Sequence, residues 1–219
     1  MTSEEQRGNN MADIRVRCLE LGELPTNTYV VWNEDTKECV LIDPSDGFDE
    51  IVQCMEEEKL TPKAIWITHG HDDHIGAVNE LKRTYGLLAY IMKDEEEAVI
   101  SPIYNLSGRM GHPRVAEPDM TFLDRQTIAV LGTSMTALLT PGHTVGGGCF
   151  WFPEEKIIFT GDTLFLESIG RSDFPGGDTL TLLRSIKETL MELPDDTVVF
   201  PGHGPATTIG HERKYNPFL

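Results

Sequence analysis

Short apolar runs of β type dominate the chain, separated by turn residues and by stretches whose apolar positions recur at helical spacing. Residues 14–19, 28–32 and 39–42 are rich in β-branched and aromatic side chains and predict three strands. From Asp46 or Gly47 the period changes. Ile51, Val52, Met55 and Leu60 recur at helical spacing and predict an amphipathic helix. Residues 64–68 (AIWIT) are continuously apolar, which suits a strand buried on both faces. A polar, histidine-rich turn follows, then a helix over 76–85, a strand over 87–92 and a short acidic helix over 93–100. The acidic run 94–97 reads as a solvated helix face. Residues 101–118 are rich in Gly, Pro and Ser and predict a surface loop, in which Arg109 and Arg114 make a reasonable place for specificity.

Four more β-type runs cover 127–131, 134–140, 148–152 and 157–160. An amphipathic helix over 178–193 has Asp178 as its N-cap, a last strand covers 197–200, and 210–219 could close one helical turn. Strands and helices occur in roughly the same order in both halves. That predicts an α/β protein with two facing sheets and helices outside. Residues 1–12 read as a disordered lead-in and 13–219 as one domain.

Charge narrows the partners. The 219 residues hold 36 acids against 18 bases, a formal net charge of −18. Such a field repels phosphate backbones and anionic lipid, so neither nucleic acid nor membrane is an expected partner. No apolar run approaches the ~20 residues that cross a bilayer. The start, MTSEEQRGNN, has neither a secretory core nor an Arg-rich transit pattern, and the expected location is cytoplasmic. Cys18, Cys39, Cys54 and Cys149 form no C-x-x-C pair and read as buried or half-buried free thiols in a reducing compartment.

The chemistry is concentrated in histidine. Three of the seven histidines lie in one window, His69-Gly-His71-Asp-Asp73-His74, directly after the AIWIT run. Two residues apart on an extended turn, His69 and His71 can aim at one point, and Asp73 and His74 can serve a second point nearby. Three further runs end in Gly followed by His or Asp: His143 in TPGHT, Asp162 in FTGDT and His203 in FPGHG. Glycine there permits a tight turn and removes a side chain that would crowd an ion. Seven ligand-type groups are enough for two metal ions. His112 and His211 fall outside these motifs and read as ordinary surface or core histidines.

This pattern resembles the metallo-β-lactamase superfamily, whose signature is an H-x-H-x-D-H loop followed by a distant His, Asp and His. The resemblance runs from about Ile14 to the end. It implies a four-layer αβ/βα sandwich of two mixed sheets. His69, His71 and His143 would hold a first metal, Asp73, His74 and His203 a second, and Asp162 would bridge them. Asp43 matches an early Asp that supports a ligand from behind; an ordinary turn-forming Asp is the other reading. Five imidazoles and two carboxylates suit Zn²⁺ best, with Fe²⁺ or Mn²⁺ also possible. Two such ions would lie ~3.5–4 Å apart and lower the pKa of a bridging water towards ~7.

Several features narrow the reaction. Secreted antibiotic-degrading relatives commonly carry Cys at the bridging position, here Asp162, so antibiotic hydrolysis is not expected. Oxygen-reducing diiron relatives typically carry Glu where this chain has His71. Nuclease branches carry extra domains and basic surfaces. The closest resemblance is to the hydroxyacylglutathione hydrolase (glyoxalase II) group, and to a short subgroup with the segment GRSDFP at 170–175. That implies attack of a metal-bridging hydroxide on a small thioester, S-(2-hydroxyacyl)glutathione-like, with Asp73 and Asp162 in catalytic roles. A leaving thiolate, of reference pKa ~8.5, departs without a general acid.

Full-length glyoxalase II enzymes end in a helical domain that grips glutathione. Only fourteen residues follow Pro205, so that domain is not expected and the identity of the thiol stays open. Arg171 is the candidate for a substrate carboxylate, with an ion pair to Asp173 or Asp178 as the alternative. The GRSDF segment also resembles glutathione persulfide dioxygenases, in which one Fe²⁺ would be held by His71 (or His69), His143 and Asp162. That is the second reading. The acyl group, the metal in the cell and the oligomeric state are not legible.

Overall fold

The computed structural model describes residues 12–109, 111 and 113–219. The lead-in expected over 1–12 therefore lies, apart from Ala12, outside the described residues, as does His112.

β1 (Ile14–Leu21), β2 (Thr26–Asn33) and β3 (Glu38–Ile42) run as an antiparallel meander. α1 (Phe48–Glu58) then crosses to β4 (Thr61–Ile67), and α2 (Val78–Tyr85) crosses to β5 (Leu88–Met92). Both crossovers make parallel pairs, as a helix between neighbouring strands does. A short α3 (Glu96–Val99) and the long loop lead to β6 (Met120–Phe122), parallel to β5. The first sheet is thus β1-β2-β3-β4-β5-β6.

β7 (Thr127–Val130), β8 (Thr133–Leu139), β9 (Gly148–Phe152) and β10 (Ile157–Gly161) form a second antiparallel meander. A small hairpin of β11 (Leu164–Phe165) and β12 (Ser168–Ile169) follows. α4 (Thr179–Glu188) returns the chain to β13 (Val198–Pro201), parallel to β10. β14 (Thr207–Thr208) pairs with β13, and α5 (Ile209–Tyr215) closes the chain. The second sheet is β14-β13-β10-β9-β8-β7.

Alternation along the strands builds four layers. β2 is buried throughout, yet its two faces have different neighbours. Tyr29 and Val31 join Val40, Ile42 and Trp66 against Phe150, Phe152 and Phe159 of the other sheet, which makes the central core. Val30 faces outward with Leu41, Ile65 and Ile67, where Ile51 and Met55 of α1 and Leu81 of α2 cover them. On the far side Ile158 and Val199 pack under Leu182 and Ile186 of α4 and Ile209 of α5. The expected αβ/βα sandwich of two mixed sheets is present.

The expected elements recur within a few residues. The 178–193 helix is α4, capped by Asp178 Oδ1, which accepts from the Thr181 N–H at 2.7 Å; after Glu188 only a 3₁₀ turn, Leu190–Glu192, continues it. The expected tail turn is α5. β6, β11, β12 and β14 were not anticipated, because two or three residues carry no period. Cys39, Cys54 and Cys149 are buried and free as expected, whereas Cys18 is exposed and also free. Among the described residues no helix is long and apolar enough to cross a membrane.

Candidate metal centre

Each candidate ligand sits just beyond the carboxyl end of a strand, where an α/β sheet places its functional loops. His69, His71, Asp73 and His74 follow β4; His143 follows β8, Asp162 follows β10 and His203 follows β13. Two glycines permit this by their backbone: Gly142 has φ 128° and Gly161 φ 46°, both left-handed. Gly202 acts through space instead, since a Cβ there would overlap the Asp162 carboxylate and press on the His74 ring at 2.7 Å.

Three clusters of donors form among the described residues. His69, His71 and His143 make one, Asp73, His74 and His203 a second, and Asp43 with His69 and His74 a third; within each the donor atoms lie within 4.8 Å of one another, and the first two match the expected ligand groups. Asp162 stands between them. Its Oδ2 is 3.5 Å from His143 Nε2 and 3.6 Å from His203 Nε2, and its Oδ1 is 3.4 Å from His74 Nε2.

Hydrogen bonds behind the rings decide which nitrogens carry protons. His143 Nδ1 donates to the Arg171 carbonyl at 2.6 Å, and His203 Nδ1 donates to the Pro25 carbonyl at 2.7 Å. A carbonyl can only accept, so the Nε2 of each neutral ring is a lone pair. Thr68 Oγ1 donates to Asp43 Oδ2 at 2.6 Å and so accepts from His69 Nδ1 at 3.1 Å. His74 Nδ1 donates to the same Asp43 oxygen at 2.9 Å. In their neutral forms His69 and His74 therefore also present Nε2 lone pairs inward.

The fifth ring, His71, has no partner behind it among the described residues: its Nε2 is buried without a hydrogen bond and its Nδ1 faces two other rings. His69 Nε2 and His143 Nε2 approach His71 Nδ1 to 3.1 and 2.9 Å. Among the described residues His74 Nε2 and Asp162 Oδ1 are buried with no hydrogen-bond partner. Lone pairs and carboxylate oxygens converging in a buried site repel unless a cation lies among them. The donor set of imidazoles and carboxylates fits divalent metal ions, and four of the five rings are oriented from behind as metal ligands are.

Titration behaviour follows the same geometry. Burial and the neighbouring imidazoles drive His69 well below its ordinary value, and burial followed by the His143 charge lowers His71 to about 3. His74 goes the other way: burial would lower it, but Asp73, Asp162 and Asp43 surround it and raise it strongly. Asp162 resists its burial because His74, His143 and His203 hold it down at about 2. Asp73 is likewise held well below the carboxylate range, against burial, by His74, His203 and Thr26 Oγ1, which donates to it at 2.9 Å.

Asp43 lies in a turn behind the His74 ring. It occupies a left-handed turn position at φ 48°, and its two oxygens take the Thr68 N–H, the Thr68 hydroxyl and His74 Nδ1. Arg171 is another matter. Its guanidinium is exposed, forks onto Asp173 at 2.9 and 2.8 Å and lies 4.2 Å over the Phe174 ring. It reaches the centre only through its carbonyl on His143. His211 is a surface residue, paired with Glu167 at 3.0 Å.

A cleft of about 510 Å³ opens beside the second donor group, walled by Leu24, Asp73, Leu106, Arg109, Arg114 and Phe174. Arg114 bonds both Asp46, at 2.6 Å, and Asp72. Among the described residues Arg109 has no ion-pair partner. The expected 101–118 loop thus forms one wall of the cleft.

A sequence profile of the metallo-beta-lactamase superfamily matches residues 21–203, the span that carries all seven donors. The chain belongs to that superfamily. The hydroxyacylglutathione hydrolase GloC of Haemophilus influenzae is 38% identical over 209 residues, covering 94% of this chain and 98% of that one. Among solved structures of the superfamily, the B3 metallo-beta-lactamase BLEG-1 aligns with a TM-score of 0.89 at 38% identity, covering 94% of this chain and 99% of that chain. TTHA1623, solved in a di-iron-bound form, aligns with a TM-score of 0.81 at 36% identity, covering 93% of this chain and all of that one. The superfamily is one of metallo-hydrolases, and the His/Asp clusters of this member suit a dinuclear centre.

The sequence missed several residues that shape the centre. Thr26, Thr68, Pro25 and the Arg171 carbonyl act from behind the ligands; of these only Thr68, next to the histidine window, had a positional signal. Glu95 is a correction. The run 94–97 was expected to be solvated, but Glu95 is fully buried while Asp94, Glu96 and Glu97 are exposed.

Proposed function

We propose that the protein is a metal-dependent hydrolase of small thioesters, with S-(2-hydroxyacyl)glutathione-like compounds as substrates. The supporting observation is the double donor set that shares Asp162, its lone pairs fixed inward, opening through Asp73 onto a cleft of small-molecule size. The name of GloC supports the glutathione-linked class.

His69, His71 and His143 would hold one divalent ion and Asp73, His74 and His203 the other, with Asp162 between them; zinc suits these donors, and the di-iron form of TTHA1623 makes iron the other candidate. Ions there supply an acidified water and a polarised carbonyl. The chain's residues do the rest. Asp43, Thr68, Pro25 and the Arg171 carbonyl orient four of the five imidazoles from behind. Asp73 is the only one of the seven that borders the cleft. At the edge of the cleft, its carboxylate is placed to accept the proton that remains after the water attacks. Phe174, edge-on to the His71 ring at 5.7 Å, limits water on that side. The leaving thiolate, with a pKa near ~8.5, needs no acid from the protein.

Arg109, lining the cleft with no ion-pair partner among the described residues, is better placed than Arg171 to meet a carboxylate on the thiol moiety. The deciding experiment offers one metal-analysed sample S-lactoylglutathione, glutathione persulfide with oxygen, and a β-lactam. Metal-dependent thiol release at two ions per chain supports the proposal. Oxygen uptake with one iron per chain selects the persulfide dioxygenase reading, and β-lactam opening without thioester cleavage would displace both.

A further inference from the structure

The loops of the first donor group come from different sheets, and one buried side chain ties them together. His69 and His71 follow β4 of the first sheet, and His143 follows β8 of the second. Glu95, in the 3₁₀ turn Lys93–Glu95 after β5, has no solvent exposure. Its Oε1 accepts the Gly70 N–H at 3.0 Å and its Oε2 accepts the Gly146 N–H at 2.8 Å. Gly70 lies between His69 and His71, and Gly146 lies three residues past His143.

Both loops press against the same segment. A Cβ on Gly146 would overlap the backbone of Asp94 and Glu95, and one on Gly70 would stand 2.7 Å from Val99 Cα. Among the described residues no cation pairs with Glu95, and burial pushes its carboxyl up to about 7 despite the two N–H donors. An apolar residue would fill the space without the cost of burying a carboxylate. Only a carboxylate can accept from both loops at once.

We infer that Glu95 is a positioning residue: by holding Gly70 and Gly146 on its two oxygens, it sets the distance between the imidazoles of His69 and His71 and that of His143, and so the metal affinity of the first donor group. This rests on the ligand assignment proposed above. Partners behind metal ligands typically govern affinity by ~10–100-fold.

Glu95→Gln keeps the shape but turns an NH₂ towards one of the two N–H groups. Glu95→Asp keeps the charge but is one methylene too short to reach both. Zinc affinity is measured by competition with a chromophoric chelator, in the full chain and in a His203→Ala background that leaves the first group complete, with Asp94→Asn as the exposed control. Both Glu95 variants should bind the first ion ~10–100-fold more weakly and Asp94→Asn should match the parent. A purely structural Glu95 would lower only the melting temperature of the metal-free protein. If Glu95→Asp folds, by circular dichroism, and binds zinc like the parent, the inference is overturned. If the parent itself takes up no ion and its histidine variants behave alike, the ligand assignment fails first, and that result is distinguishable from the other.

Discussion

Asp43 supports the centre from behind His74. It receives three hydrogen bonds, and one of them decides the His74 tautomer. Asp43→Asn replaces one acceptor by a donor, so His74 Nδ1 loses its partner. Affinity at the Asp73–His74–His203 group should fall ~10–100-fold, with a smaller loss at the other group through Thr68 and His69, read by chelator competition. Unchanged affinity would remove Asp43 from the account. Acid should also act unequally. Ligands must shed protons to bind metal. His74 and His203 have raised pKa values, so their protons stay on to higher pH and compete harder. His69 and His71 have lowered values and are already neutral near pH 7. On dialysis from pH 8 to 6 at fixed free zinc, one ion per chain should leave, from the His74 group, while the other stays. Loss of both in one step, or of the His69 ion first, would contradict this.

At the scale of elements, the turns after the strands carry the site, and Gly142 shows how tightly they are built. Its φ is 128°, and a Cβ would overlap the backbone of Leu182 in α4. Gly142→Ala should cost about 3 kcal/mol or more, since strain and a backbone clash add, and the His143 turn would have to move off α4. A denaturant titration within 1 kcal/mol of the parent would show the packing to be looser than described. These turns were legible because strand, glycine and ligand fall in a fixed order in the sequence. So were the long periodic helices and strands. The partners behind the ligands were not: Pro25 and Arg171 act through carbonyls, which every residue has, and Thr26 meets Asp73 only after β2 is placed. Glu95 was misread because three exposed acids flank it and the run looks uniform.

For the whole molecule, a chain of net charge −18 gathers five histidines and two carboxylates at one end of a sandwich whose core is otherwise apolar. Without cations those inward lone pairs oppose folding, so metal removal should be felt globally. Binding at a thousandfold excess over Kd adds ~4 kcal/mol per site, and 1 kcal/mol moves the melting temperature of a protein this size by ~2–4 °C. A chelator should therefore lower the melting temperature by roughly 10 °C or more, reversibly. The double-sheet plan and the choice of seven candidate donors followed from pattern and resemblance, whereas the cleft wall and the engaged state of Arg171 needed coordinates, because an exposed Arg two residues from an Asp reads the same either way.

The central claim is that the two donor groups hold a pair of divalent ions with Asp162 between them. The direct measurement is anomalous diffraction at a metal absorption edge from crystals of the metal-loaded protein. The account predicts two peaks, one among His69, His71 and His143 and one among Asp73, His74 and His203, each bordering the Asp162 carboxylate. A single peak, or peaks away from these side chains, would contradict it.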